Sequence, residues 1–506
     1  MRLNILELPE AAAASWPDKP AYVSETESLT WSELLREARC VGSFLAARVP
    51  PRTPVAVLLS HSVHAVAALL GIVAAGCFNV PLDPAQPAER AKKVFERAEP
   101  GFLLYDSAAE ALLRDAGDLP FPSLPYAEAA RTPIDPELLT ARRNGASVLD
   151  PVQVFYTSGS TGIPKGVVHT HRSLLFYSHR VCKWTEYVWS GQIWGNQAPF
   201  FYSNAIFDLF PPMTLGCTVC LIPSECFLFP NLFMEYFRSK RINTILMTPL
   251  NFLYIADSGV LTPRSLPDLQ AVFMCGEAVP FRQAHMWVEA AAPGAKVSNF
   301  YGSTECPYVS VYPMQDITMA PEDIVPSGYL LEGVRLAVVD ENGEEVPPGE
   351  PGEMYVSAPW ISSGYFRDPK RTADVFVNDP MDLGWDCLYY RTGDIGRLDS
   401  DGILHVLGRR DSQIKHRGYR MDLGEVEAAL RSLEGWQNGC CLHSEKEDKL
   451  YCFWCGPLTE KELTAGLRAR IEKYMLPNVY VHLDELPRTA SGKLDRTALK
   501  AHFAQP

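Results

Sequence analysis

The 506 residues exceed what one hydrophobic core usually holds, about 250–300, so more than one folded unit is expected. Hydrophobic residues make up 47% and charged residues 21%, an ordinary balance for a chain that buries a large core. A formal net charge of −14 disfavours nucleic acid or an anionic membrane surface as a partner, yet leaves room for a local basic pocket.

The start, Met1-Arg2-Leu3-Asn4, shows no apolar run leading to a small-residue cleavage site, so no signal peptide is expected. No stretch of about 18 uninterrupted apolar residues is present, so membrane insertion is not expected either. Thirteen scattered cysteines do not resemble a disulfide scaffold, and a reducing cytoplasm is the expected compartment.

In chain order, residues 11–14 and 31–47 read as helical, 55–59 as a buried strand, and 65–75 as an apolar helix ending at Gly76. This alternation predicts an α/β fold of mostly parallel sheets flanked by helices. Residues 132–150 are polar, with Pro and Asn-Gly signals, and read as a surface connection. Between 151 and 330 strands and helices alternate again, with short strands at 244–247 and 271–275. From about 331 to 410 the pattern turns β-rich, with runs at 334–339, 353–357 and 402–407 separated by turn residues. Beyond Asp411 come a charged helix, strands and a closing helix. The expected organisation is a large N-terminal domain, 1–410, and a small α+β C-terminal domain, 411–506.

Two CxxC spacings, Cys217/Cys220 and Cys452/Cys455, fall in strand-like runs. Residues three apart on a strand point to opposite faces, so neither pair is expected to chelate zinc.

Residues Phe155-Tyr-Thr-Ser-Gly-Ser-Thr-Gly-Ile-Pro-Lys165-Gly follow a strand-like run. Thr157, Ser158, Ser160 and Thr161 interleave with Gly159 and Gly162. Glycines let backbone N–H groups approach an oxyanion, hydroxyls add donors, and Lys165 adds charge for terminal phosphates. The spacing is not that of a Walker A loop. The order of residues, TSGSTGIPKG, resembles the phosphate loop of the adenylate-forming superfamily: acyl-CoA and aryl-CoA synthetases, peptide-synthetase adenylation domains and luciferases.

Further segments resemble the same family in order along the chain. Cys275-Gly276-Glu277 resembles its adenine-side loop, and Phe300-Tyr301-Gly302-Ser303-Thr304-Glu305 its next signature. The resemblance implies that Tyr301 stacks on adenine, Thr304 bonds the α-phosphate and Glu305 holds Mg²⁺. Carboxylate attack on phosphate brings like charges together, at a cost of about 4 kcal/mol at ~4 Å and an effective dielectric near 20. A divalent ion offsets that repulsion. Tyr390-Arg-Thr-Gly-Asp394 and Gly408-Arg409-Arg-Asp411 resemble the ribose motif and the hinge. By that likeness Asp394 accepts from ribose, Arg409 contacts ribose or phosphate, and Asp411 is the pivot.

Residues 415–427, from Lys415 through Gly418 to Glu427, resemble the segment that swings in for the second half-reaction, with Gly418 passing a pantetheine arm. Glu425 and Glu427 read as structural, because acids favour a helix N-terminus. Residues 487–496 resemble the catalytic-lysine loop, in which Lys493 bridges substrate carboxylate and phosphate. The resemblance implies ATP and Mg²⁺ as cofactors and a small domain that rotates between two half-reactions.

The substrate is less legible. In amino-acid-activating relatives a segment like FDxSxxE supplies an acid for the substrate amine. Aligned without gaps to Gly216, Ser203 stands at that place, after Tyr202, and Asp208 is kept. A buried ammonium without its partner is costly, so Ser203 argues against an ordinary α-amino acid. The remaining expected pocket positions are Phe207, Leu250, Phe273, Cys275, Phe300, Tyr308 and Val309, and these aromatics equally suit a core. Among subfamilies the chain looks most like D-alanine–carrier protein ligases, on the grounds of Phe273-Met-Cys-Gly-Glu277, Asp208 and Gly418-Tyr-Arg-Met-Asp422.

The expected function is activation of a small carboxylic or amino acid as acyl-AMP, then transfer to the phosphopantetheine of a carrier protein. An acyl- or aryl-CoA ligase and a luciferase-like oxygenase are the alternatives. Lys165 and Lys493 together disfavour a non-catalytic nucleotide binder.

Overall fold

Apolar helices against fully buried strands set the architecture of the N-terminal region. The computed structural model describes residues 3–157, 163–184, 191–314, 319–378, 380–381, 384–410, 413–444, 447–488 and 494–504. Strand Pro54–Leu58 is buried along its whole length, and helix Val63–Ala74 is apolar on nearly every face, so both need cover on two sides. Ser62 caps that helix by accepting from the Ala65 N–H. Helix Trp31–Ala46 covers it and starts with a capping box formed by Thr30 and Glu33. At their crossing, a Cβ on Gly71 would stand 2.7 Å from the Ala38 carbonyl oxygen, so only glycine permits this approach.

The first sheet runs 123–125, 102–105, 54–58, 78–81, 151–157 and 165–170; all neighbours are parallel except the last pair, an antiparallel hairpin. A second sheet is parallel through 20–23, 218–221, 193–196, 244–247, 271–275 and 296–301. It continues antiparallel through 310–313, 328–330, 403–409, 388–398, 352–357 and 335–339. The β-rich stretch is thus an extension of the large sheet. Strands 271–275 and 296–301 bring Cys275 and Tyr301 to their C-terminal ends, the edge where open α/β sheets place ligands.

The stretch 132–150 is more ordered than a plain surface connection. It contains helix Pro136–Asn144, with Asp135 accepting from the Leu138 N–H and proline at its first turn. Arg142 from this helix donates to the Val49 carbonyl at 2.7 Å, which ties it to the preceding domain core.

The C-terminal domain has its own apolar core, in which Met421, Val426, Leu430, Leu450, Leu463 and Met475 are all fully buried. Its elements are the hairpin of strands Gln413–His416 and Tyr419–Asp422, helix Leu423–Arg431, a three-stranded sheet, helix Glu460–Arg468 and helix Arg496–Lys500. Asp422 caps helix Leu423–Arg431 through the Gly424 N–H. The cysteines at 217, 220, 452 and 455 are free thiols, and burial pushes Cys217 and Cys220 up to about 12 and about 11.

A buried ion triad joins the domains. Arg90, on helix Ala88–Ala98, pairs with Glu425 and, at 2.6 Å, with Glu472. Beside it Tyr202 packs on Tyr419, whose ring stacks on Tyr474 at 4.1 Å. Removing the cation would leave two acids buried at the interface, at a cost of about 3–5 kcal/mol. Arg90→Met is therefore expected to speed hydrogen exchange at the Gly418 amide about 100-fold while leaving exchange in helix Val63–Ala74 unchanged. Equal Gly418 rates in variant and parent would rule out the triad as the docking contact.

Candidate active site

The two ends of the hydroxyl-glycine loop are held in register, Thr157 opposite Lys165, by the antiparallel pair 151–157 and 165–170. Ser158, Gly159, Ser160, Thr161 and Gly162 lie outside the described residues, as do Asp411 and Lys493. Arg488 and Leu494 bridge across the base of the lysine loop. Thr157 lines the central cavity, and its buried hydroxyl has no hydrogen-bond partner among the described residues. A buried unsatisfied hydroxyl is costly, and a ligand oxygen would satisfy it.

Glu305 is fully buried beside Lys165. Its Oε1 accepts from Lys165 Nζ at 2.9 Å and from the Tyr365 hydroxyl at 2.8 Å, and its Oε2 accepts from Arg420 at 2.6 Å. Burial alone would raise its pKa, but Arg420 and Lys165 outweigh this and hold it well below the usual carboxylate range. Burial lowers Lys165 to about 8 despite Glu305. Lys165 was expected at the terminal phosphates and is found on Glu305. The family likeness puts Mg²⁺ on Glu305, yet both its oxygens are engaged by cations and a phenol. In this arrangement the acid does not fit a metal ion.

The neighbouring backbone is fixed by buried contacts. Burial pushes His169 down to about 4, and its neutral ring donates to the Thr304 carbonyl at 2.9 Å. The Thr304 hydroxyl lies 2.9 Å from that of Ser203. Gly302 is sterically required, since a Cβ there would stand 2.4 Å from the Tyr308 nitrogen. Ser303 Oγ accepts from the Cys306 N–H at 3.2 Å.

The groups expected around the nucleoside come together. The Tyr301 hydroxyl donates to Asp394, Arg409 pairs with the same carboxylate, and Lys415 Nζ lies 5.6 Å from the Tyr301 ring centre. Gly276 has φ of +134°, a conformation suited to glycine, and Glu277 accepts the Gly418 N–H at 2.6 Å. Gly418 itself has φ of +80°, and a Cβ on it would stand 2.9 Å from Thr248 Cβ.

At the acyl end, Tyr202, Ser203, Leu250, Cys275 and Tyr308 line the cavity. Phe207, Phe273, Phe300 and Val309 do not. They form a buried layer behind it, with Phe300 4.8 Å and Phe207 5.5 Å from Tyr308. Of the two readings the sequence left open for these residues, core packing is the one observed. Tyr177, missed by sequence reasoning, lines the cavity and stacks on Tyr308 at 5.6 Å. Arg90, Tyr365, Arg420 and Glu472 were also missed. Arg420 sat within a recognised motif without a role, whereas Tyr365 comes from a distant segment that pairs with the strand around Val167. Glu425, read as a helix-start acid, belongs to the interdomain triad.

Among the described lining residues, Arg90, Arg409, Lys415, Arg417 and Arg420 outnumber Asp83, Asp394 and Glu472. In a chain of net charge −14 this local excess favours an anionic ligand. Residues 9–366 match the family model described as "AMP-binding enzyme", and residues 425–493 match "AMP-binding enzyme C-terminal domain". The chain belongs to the AMP-binding enzyme family. It is 31% identical to a D-alanine–D-alanyl carrier protein ligase of Bacillus velezensis, over 98% of both chains. It is also 31% identical to a dimodular nonribosomal peptide synthase of Bacillus subtilis, over 97% of this chain but 21% of that protein. The chain spans from about a seventh to under half of the length of several such synthetases. Among solved structures, the fold matches the Vibrio cholerae adenylation domain AlmE with a TM-score of 0.85 at 22% identity, covering 100% of this chain and 98% of that one. It matches o-succinylbenzoate CoA synthetase of Bacillus subtilis with a TM-score of 0.81 at 22% identity, over 98% of both chains. No helix among the described residues is long and apolar enough to cross a membrane.

Asp208, kept from the motif, lies behind the acyl pocket. It is fully buried, accepts from Trp194 at 3.0 Å and Asn196 at 2.6 Å, and is pushed up to about 8 by burial. The unfolded chain releases this proton near pH 4 while the folded chain keeps it, so this group lowers stability as pH rises from about 4 to about 8. In thermal melts, Asp208→Asn is expected to flatten that decline relative to the parent. Parallel melting curves across this range would contradict the assignment.

Proposed function

We propose that this protein is an AMP-forming acid–thiol ligase. It activates a small carboxylic acid with ATP as acyl-AMP and transfers the acyl group to the phosphopantetheine thiol of a carrier protein. The observation that carries the reading is Gly418: its backbone lies against Thr248 and Glu277 at the cavity rim, with no room for a side chain. A slender thioester arm needs such a close backbone approach, and the 413–422 hairpin brings Gly418 there from the small domain. The likeness to a carrier protein ligase over the whole chain supports a carrier as acceptor in preference to free CoA.

In this reading Asp394 and Arg409 hold ribose, Tyr301 borders adenine, and Thr304 with the 158–162 loop meets the phosphates, while Lys165 holds Glu305. Lys493 neutralises charge between the attacking carboxylate and the α-phosphate. Mg²⁺, when bound, would supply further charge neutralisation on the triphosphate. Glu305, held by Lys165, Tyr365 and Arg420, is not assigned to that ion.

The acid is proposed to be short and without a cation at its acyl end. Around that end stand Tyr177, Ser203, Cys275 and Tyr308, none of them ionised at neutral pH, and the Ser203 hydroxyl is within hydrogen-bond distance of Thr304. A D-alanine-like acid is the second reading, favoured by the carrier protein ligase likeness.

Lys493→Ala is expected to lower acid-dependent ATP–pyrophosphate exchange by at least 100-fold, with ATP binding retained. Exchange at the parent rate would remove the lysine from adenylation. Gly418→Trp is expected to keep pyrophosphate exchange within a few-fold and to abolish loading of a phosphopantetheinylated carrier; equal loss of both half-reactions would count against the arm's path. Exchange with a panel of D- and L-alanine, β-amino acids, aryl acids and short fatty acids tests the acid, and higher turnover with charged α-amino acids than with neutral acids would overturn the proposed pocket.

A further inference from the structure

The small domain carries a cluster of side chains that adenylation and thioester transfer do not use. His416 ends the strand Gln413–His416, His443 lies in the strand Asn438–Ser444, and Asp448 precedes the strand Lys449–Cys455. Nδ1 of His416 is 2.9 Å from Oδ1 of Asp448, and Nε2 of His443 is 3.1 Å from the same oxygen. The two rings meet edge to face at 5.3 Å. One ligand atom from each residue lies within 4.8 Å of the other two. Tetrahedral ligands at about 2.1 Å from an ion sit roughly 3.4 Å apart, so side-chain shifts of about an ångström would close the set on a metal.

The His416 ring is fully buried, and its Nε2 has no hydrogen-bond partner among the described residues. In the metal-free protein Nδ1 of His416 carries the proton and donates to Asp448, so a bound ion would displace that proton and take the Nδ1 lone pair. His443 is nearly buried, while Asp448 has 43% of its side chain exposed and gives an ion a way in.

We propose that His416, His443 and Asp448 form a binding site for a divalent transition-metal ion of the zinc type, with a fourth position open to water beside Asp448. Two imidazoles and one carboxylate match a borderline-soft cation, whereas Mg²⁺ prefers an all-oxygen shell. The ion would pin strand Gln413–His416 to the three-stranded sheet. Gly418 follows two residues later and donates to Glu277, so occupancy bears on the position of the pantetheine-facing hairpin.

The test uses the full chain, stripped with a chelator and titrated with ZnCl₂ by calorimetry, with zinc content measured after gel filtration. The parent is expected to retain one more zinc per chain than His443→Ala or Asp448→Asn, and affinity is expected to fall at least about 100-fold in either variant. Millimolar Mg²⁺ should not displace it. Co²⁺ loading should give visible bands without a strong thiolate charge-transfer band, separating this site from the thirteen cysteines. Equal zinc content in the parent and both variants, or a thiolate band shared by all three, would overturn the site. Should His443→Ala fail to fold, Asp448→Asn decides, because its side chain is partly exposed and nearly isosteric. Circular dichroism checks that the variant used is folded.

Discussion

The arrangement depends on one buried carboxylate, Glu305, shared between Lys165 of the phosphate hairpin and Arg420 of the small domain. Removing an acid and two cations from water is expensive, and the expense is offset only when every oxygen is bonded. Here Tyr365 supplies the remaining donor. The same carboxylate thus ties the strand that starts at Lys165 to a domain with its own core. It leaves a net positive charge at the cavity wall, which a phosphate-bearing ligand complements.

Polar contacts hold the small domain at three places among the described residues. Arg420 meets Glu305, the Gly418 backbone meets Glu277, and Arg90 meets Glu425 and Glu472. These three are polar and directional, beside the aromatic packing of Tyr202 on Tyr419, and the small domain has its own core around Met421 and Met475, distinct from the N-terminal clusters. Polar interfaces of this kind suit motion between domains better than a continuous apolar seam does.

The acyl pocket shows why side-chain type alone misleads. Phe207, Phe273, Phe300 and Tyr308 form one aromatic cluster, yet only Tyr308 reaches the cavity. The other three support it from behind. Ser203, the departure from the amino-acid pattern, spends its hydroxyl on Thr304, and Asp208 spends its carboxylate on Trp194 and Asn196. Neither is arranged as a counter-ion for an ammonium group.

The amino-acid order by itself determined the α/β class, strands at 55–59, 244–247 and 271–275 and an apolar helix at 65–75, within two residues of those observed, because buried parallel strands and all-round apolar helices leave long unmixed runs. Its short motifs, read by family resemblance, also pointed to Tyr301, Asp394, Arg409 and Gly418; Tyr301 bonds Asp394, and Asp394, Arg409 and Gly418 line the cavity. Helix Pro136–Asn144 was hidden, because its exposed polar faces carry no apolar period. Only the tertiary structure decided that Arg420 and Lys165 share Glu305, that Arg90 holds two acids from the small domain, and that Tyr177 rather than Phe207 faces the pocket. Those pairings join residues 100 to 400 positions apart, and a charge or an aromatic ring in sequence does not specify which distant partner will neutralise or cover it.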